Sequence, residues 1–99
     1  MSDVYYNPKH FGLEKVGEYD FSSGSYEFDI RCIWRVKSTG KLLTARDSGC
    51  SCPSPFEGYT SLATLEDFSE SFLVEEARND GASADWIMEI RRLGIEVTP

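Results

Sequence analysis

Tyr26-Glu27-Phe28-Asp29-Ile30-Arg31-Cys32-Ile33-Trp34-Arg35-Val36-Lys37 alternates in character from end to end. Tyr26, Phe28, Ile30, Cys32, Trp34 and Val36 form one set; Glu27, Asp29, Arg31, Ile33, Arg35 and Lys37 form the other. A period of two sends successive side chains to opposite faces of a β-strand, so the segment reads as a strand with one buried face. Ile33 alone breaks the polar face. It either lies under the N-terminal arm or marks a small exposed patch.

Upstream, Leu13 to Phe21 reads as an antiparallel partner strand, with Ser22-Ser23-Gly24-Ser25 as the turn between them. Gly17 interrupts that strand and marks a bulge, because glycine weakens a strand interior. Downstream, Ser38-Thr39-Gly40 makes a second tight turn with Gly40 at positive φ. Lys41 to Asp47 is the third strand. Pairing Lys37 with Lys41 turns Leu42 and Thr44 inward; a slip of one residue turns Leu43 and Ala45 inward instead. Both leucines are apolar, so both registers stay open. Residues 1–12 form an irregular arm, since Pro8 pushes Asn7 toward an extended conformation and blocks a helix there. Tyr5, Tyr6 and Phe11 can dock the arm on the core.

Residues 48–63 read as a loop, with prolines, glycines and serines scattered around few apolar side chains. Thr64 is the expected N-cap of a first helix, with Glu66 and Asp67 in its first turn against the positive end of the helix dipole. Leu65, Phe68, Phe72, Leu73 and Ala77 fall on its inner stripe, and it ends near Asn79 with Gly81 beyond. Ser83 caps a second helix whose stripe is Trp86, Ile87, Ile90 and Leu93, with Arg91 and Arg92 in its last turn. Gly94 followed by Ile95 fits a glycine-terminated end, and Ile95-Glu96-Val97 then adds a short edge strand. The predicted architecture is α+β: one domain over residues 1–99, with a three-stranded antiparallel meander over 13–47 and two C-terminal helices over 64–99 packed on one face. Trp34 and Trp86 are both expected in the core.

The bulk numbers agree with one folded domain. The chain has 99 residues, 40% of them hydrophobic and 13% aromatic, which suits one core and is too rich in aromatics for a disordered chain. No apolar run reaches the roughly 20 residues of a membrane helix. The N-terminus lacks a basic region followed by an apolar stretch, so the expected location is cytoplasmic. Three cysteines do not make a disulfide framework, and free thiols are expected. The net charge of −7 is unevenly spread: +1 over residues 1–46, −9 over 47–89 and +1 over 90–99. Such a surface repels phosphate backbones, which argues against nucleic acid and suits a basic protein partner; keeping a small protein soluble is the plainer use of the same charge.

Cys50-Ser51-Cys52-Pro53 is the segment closest to a chemical motif. Cys50 and Cys52, joined in space by Cys32 and His10, could supply four zinc ligands, but structural zinc pairs usually keep two to four residues between cysteines. Cys32 also belongs to the buried face of its strand, where cysteine behaves as a small hydrophobe. No metal or other cofactor is expected. A catalytic cysteine needs a base, and nothing brings His10, the only histidine, toward Cys50 or Cys52. Gly49-Cys50-Ser51-Cys52 lacks the second glycine of a nucleophile elbow. No catalytic residue is therefore assigned, and no enzyme activity is expected. A helix-turn-helix reading of the two helices fails because the recognition helix would bring Asp85 and Glu89 to the bases. Two alternatives remain: a small cysteine-bound metal module on Cys32, Cys50, Cys52 and His10, and a DNA-mimicking inhibitor, which needs carboxylates at phosphate-like spacing.

Asp47-Ser48-Gly49-Cys50-Ser51-Cys52-Pro53-Ser54-Pro55-Phe56-Glu57, with Tyr6-Asn7-Pro8 and Gly12-Leu13-Glu14 before it, resembles a family of small uncharacterised proteins encoded by phages of actinobacteria. The likeness covers about the first two-thirds of the chain and implies origin and small size, with no activity, cofactor or catalytic residue. It adds, by analogy, the expectation of a module that binds a bacterial host protein in the host cytoplasm. The expected binding surface joins the acidic face of the first helix, with Glu66, Asp67, Glu70 and Glu75, to Phe56 and Tyr59 of the loop as aromatic anchors. The plainer reading is a solvated helix face beside aromatics that cover the edge of the core.

Overall fold

A computed structural model describes residues 3–22, 27–50, 56 and 58–97, with backbone alone at Cys50 and Val97. The three expected strands and two helices are present, β1 (Leu13–Asp20), β2 (Glu27–Val36), β3 (Leu42–Cys50), α1 (Glu70–Asn79) and α2 (Ala84–Val97), together with an unexpected two-residue β4 (Glu66–Asp67). Single turns of 3-10 helix lie at Pro8–Phe11 and Leu62–Thr64. The strands form an antiparallel sheet in the order β1-β2-β3-β4, and the two helices pack together after it. No helix among the described residues is long and apolar enough to cross a membrane. The expected turn at residues 22–25 and the strand residue Tyr26 fall largely outside the described residues.

The sheet is covered on both faces, which the alternation of β2 did not foretell. Phe28, Ile30, Cys32 and Trp34 pack with Leu43 and Ala45 of β3, and the cover on that side is the N-terminal arm and the loop residue Phe56. The helices lie on the opposite face, over Ile33 and Leu42, through Leu73, Val74, Ala77, Trp86, Ile90 and Leu93. Ile33 is fully buried there, neither under the arm nor in an exposed patch. The pairing places Leu43 across from Trp34 and Leu42 across from Arg35, so the slipped register is the one adopted. It costs nothing to either leucine, because each finds a cover on its own side.

Local signals account for the joints. Gly40 turns the second hairpin at φ +79, a conformation most side chains avoid. The β1–β2 register shifts between Lys15 and Gly17, the expected bulge. A Cβ at Gly17 would stand 3.4 Å from Trp86 and 3.7 Å from Leu93, in ordinary van der Waals contact, so α2 packs directly over the bulge. Trp86 also stacks on Tyr19, with ring centroids 5.6 Å apart. Ser83 Oγ accepts the Trp86 N–H at 3.4 Å and caps α2 as expected.

Several boundaries differ from expectation. β3 runs on to Cys50, because the backbone of Ser48, Gly49 and Cys50, expected as loop, pairs with Asp29, Phe28 and Glu27 of the long β2. α1 begins at Glu70 with Ser69 as its N-cap, whose Oγ accepts the Phe72 N–H, while Thr64 closes a 3-10 turn. Between them Glu66 and Asp67 pair with Thr44 and Leu43, and the Phe68 N–H bonds to the Leu42 carbonyl. An exposed β3 edge satisfied by backbone outcompetes the helix over that stretch. α2 continues through Gly94 to Val97, so there is no terminal edge strand. Gly94 is buried inside the helix, and a Cβ there would meet the Glu70 side chain, which places the start of α1 against α2.

The arm is part of the core. Val4 is fully buried, its carbonyl accepts the Trp34 Nε1–H at 2.9 Å, and its N–H donates to the Tyr59 carbonyl at 3.0 Å. Asp3 Oδ1 accepts the N–H groups of Tyr5 and Tyr6 and fixes the turn. Tyr5 and Phe11 pack on the core as expected, whereas Tyr6 is exposed.

Both tryptophans are buried as expected. Trp34→Ala should cost about 3–5 kcal/mol, as the cavity would open between sheet and arm and strand the Val4 carbonyl; urea unfolding followed by Trp86 fluorescence measures it. Burial pushes the Cys32 thiol well above its ordinary range, with Glu18 adding to the effect against the attraction of Lys15. Iodoacetamide at neutral pH should therefore leave Cys32 unmodified in the native protein and label it only in denaturant, as read by peptide mapping.

Candidate functional site

Arg31 projects from β2 toward the helices and is almost fully buried. A buried guanidinium needs a carboxylate and hydrogen-bond acceptors. Glu76 of α1 supplies both of its oxygens, to Arg31 Nε at 3.0 Å and to the terminal nitrogen at 2.5 Å. Thr44 Oγ1 lies 3.5 Å from the remaining nitrogen and donates to the Cys32 carbonyl. Arg46, directly across from Arg31 on β3, forks onto Asp29 with two bonds of 2.8 Å and reaches Asp80 at 2.7 Å and Glu76 at 3.2 Å. Asp29, against the opposing effect of burial, and with Asp80 and Glu76 assisting, holds Arg46 firmly protonated. The Phe21 ring lies 4.1 Å below the Arg46 guanidinium. The charged members of this network are all paired, and together they clamp α1 to the sheet.

The clamp sets the rotation of α1. With Glu76 turned to Arg31, the buried side chains are Leu73, Val74 and Ala77. Phe72, expected on the inner stripe, stands on the flank and is 55% exposed, its ring 5.7 Å from Arg31. Beside it is a shallow depression of ≈ 400 Å³ lined by Arg46, Phe72, Glu75, Glu76, Asn79 and Asp80.

The expected binding residues do not form one surface. Phe56 is fully buried, in left-handed backbone at φ 60, with its N–H on Asp47 Oδ2 at 2.8 Å. Its ring stacks on Tyr5 and meets Trp34 and Tyr59 edge-on, so it is a core residue and no exposed anchor. Tyr59 is half-buried beside it, its hydroxyl 3.4 Å from the Arg46 carbonyl; burial, then Asp47 and Glu66, raise its pKa. These aromatics belong to the arm-covered face and α1 to the opposite one, so the sheet stands between the two halves of the expected patch. Glu66 and Asp67 are exposed on β4, with Asp67 paired to Lys41 at 3.1 Å. Glu70 is half-buried against Gly94, and Glu75 is exposed; both line a groove with Arg78 and Arg91. Glu66, Glu70 and Glu75 have no ion-pair partner among the described residues.

Of the metal candidates, His10 is exposed and packs edge-on against Phe11, and Cys32 is buried in the sheet. Cys52 and the Cys50 side chain lie outside the described residues. Among the described residues no group of three or more histidine, cysteine, aspartate or glutamate side chains is placed to hold a metal ion.

Fold and site together define a small α+β domain with a covered sheet and an acid-rich helical layer. The chain belongs to the family described as a domain of unknown function (DUF7574), whose model matches residues 2–92. No curated protein and no solved structure matches it.

Glu76→Leu should destabilise the protein by about 3–5 kcal/mol, because it leaves Arg31 buried without its counter-charge. Adding Arg31→Met should restore most of that loss. Chemical denaturation of the single and double variants makes the comparison; a double variant no better than Glu76→Leu would mean the pair is not the clamp.

Proposed function

We propose that this domain is a non-enzymatic protein-interaction module, phage-encoded, which binds a host protein with a basic surface in the bacterial cytoplasm. The observation that carries the reading is how charge is used in the acid-rich part of the chain. Arg31 and Arg46 are consumed inside the fold by Glu76, Asp29 and Asp80, while Glu66, Glu70 and Glu75 keep no cation among the described residues. Carboxylates without an ion-pair partner, held on β4 and α1, speed encounter with a basic partner and discriminate against acidic ones. The resemblance of the Cys-Ser-Cys-Pro-Ser-Pro-Phe segment to phage proteins supports the origin.

Affinity capture from actinobacterial lysate tests the reading, followed by kinetics with the captured protein. Glu66→Lys combined with Glu75→Lys should slow association and flatten its dependence on salt while leaving the fold intact. A captured partner displaced by DNA from the same surface would favour the DNA-mimic alternative. One equivalent of zinc in the purified protein would favour the metal module. Failure to capture any protein across several hosts would remove the reading.

A further inference from the structure

The clamp that turns Glu76 inward also turns Phe72 outward, one helical turn away on the same flank of α1. One consequence is cover: the ring shields the edge of the Arg31–Glu76 pair, with Arg31 5.7 Å from its centroid. The ring nevertheless remains more than half exposed. An aromatic face carries partial negative charge and attracts cations. The adjoining depression, ≈ 400 Å³, is lined by one cationic and three anionic side chains besides Phe72 and Asn79. The cation, Arg46, is already engaged by three carboxylates, and Glu75 has no ion-pair partner among the described residues. The environment thus combines an open aromatic face, an uncommitted carboxylate and a negative balance of charge.

We propose that Phe72 and this depression receive an arginine side chain from a basic segment of the partner protein, its guanidinium stacked on the ring and paired with Glu75. The proposal rests on the interaction-module reading and locates its contact. Arginine suits the site better than lysine because a planar guanidinium can stack on a ring and fork onto a carboxylate at once.

The test is a titration of ¹⁵N-labelled protein with acetyl-Gly-Arg-Gly-Arg-Gly-amide at low ionic strength, alongside the same peptide with citrulline for arginine. The arginine peptide should shift the amides of Phe72, Glu75, Asn79 and Asp80, and the uncharged peptide should not. Phe72→Leu keeps apolar cover over Arg31 but removes the π face, and should weaken arginine-peptide binding about two- to fivefold with unchanged thermal unfolding. Glu75→Gln should also weaken it. Shifts spread evenly over all acidic positions, or affinity unchanged in Phe72→Leu, would overturn the site. A partner captured equally by wild type and Phe72→Leu would overturn the site and leave the module reading standing. Arginine-specific shifts at Phe72 with no captured partner would uphold the pocket's chemistry and remove the module reading.

Discussion

Arg31 sits in the middle of the central strand with its guanidinium inside the protein, and much of the architecture follows from what that requires. An unpaired buried cation would cost several kcal/mol, so a carboxylate has to come to it. The sheet has no free acid at that point, because Asp29 is held by Arg46. Glu76 of α1 is the group that arrives, and its arrival fixes on which face of the sheet the helices lie and how α1 is rotated. The face of β2 that looks polar in sequence is therefore an interior face, made so by pairing. Ile33 beside the arginine, and Leu42 further along the same face across from Arg35, give the helices something to cover.

The other face is closed by different means. Trp34 has no helix over it; it has Val4, Phe56 and their neighbours, which are short irregular pieces of chain. Such pieces need backbone partners as well as apolar contact. The Trp34 indole, the Val4 peptide and the Tyr59 carbonyl form one hydrogen-bonded chain that ties arm and loop to each other and to the sheet. Phe56 accepts a left-handed backbone to bring its ring into the same cluster. Each core is thin, and the sheet between them carries both.

Elements with strong periodicity were legible from sequence. The β2 alternation, the Gly17 bulge, the Gly40 turn and the Ser83-capped helix are each local statements about neighbouring residues, and each is present. What escaped was long-range. Nothing near Arg31 announces a partner 45 positions away, although a glutamate set between Leu73 and Ala77 on a helix already hints at an inward carboxylate. Once that pairing is missed, the helices go to the wrong face and Phe72 to the wrong side of α1. The start of α1 escapes sequence for a related reason: Thr64 and Ser69 are both competent caps, and only the need of the β3 edge for a backbone partner selects the second. Phe56 was read from the polar company it keeps in sequence, whereas its position is decided by Tyr5 and Trp34.

The bulge at Gly17 bears on whether copies of the chain can join edge to edge. An open antiparallel sheet has two rims at which foreign strands can join, and such joining leads to aggregates. Here β4 covers only Leu43 and Thr44 of the β3 rim, which beyond them carries Arg46 and Asp47, and the other rim, β1, is kinked at its midpoint and set with Glu14, Lys15, Glu18 and Asp20. Neither offers the long, flat, uncharged ladder that templated growth requires. Strand addition along these rims is thereby discouraged.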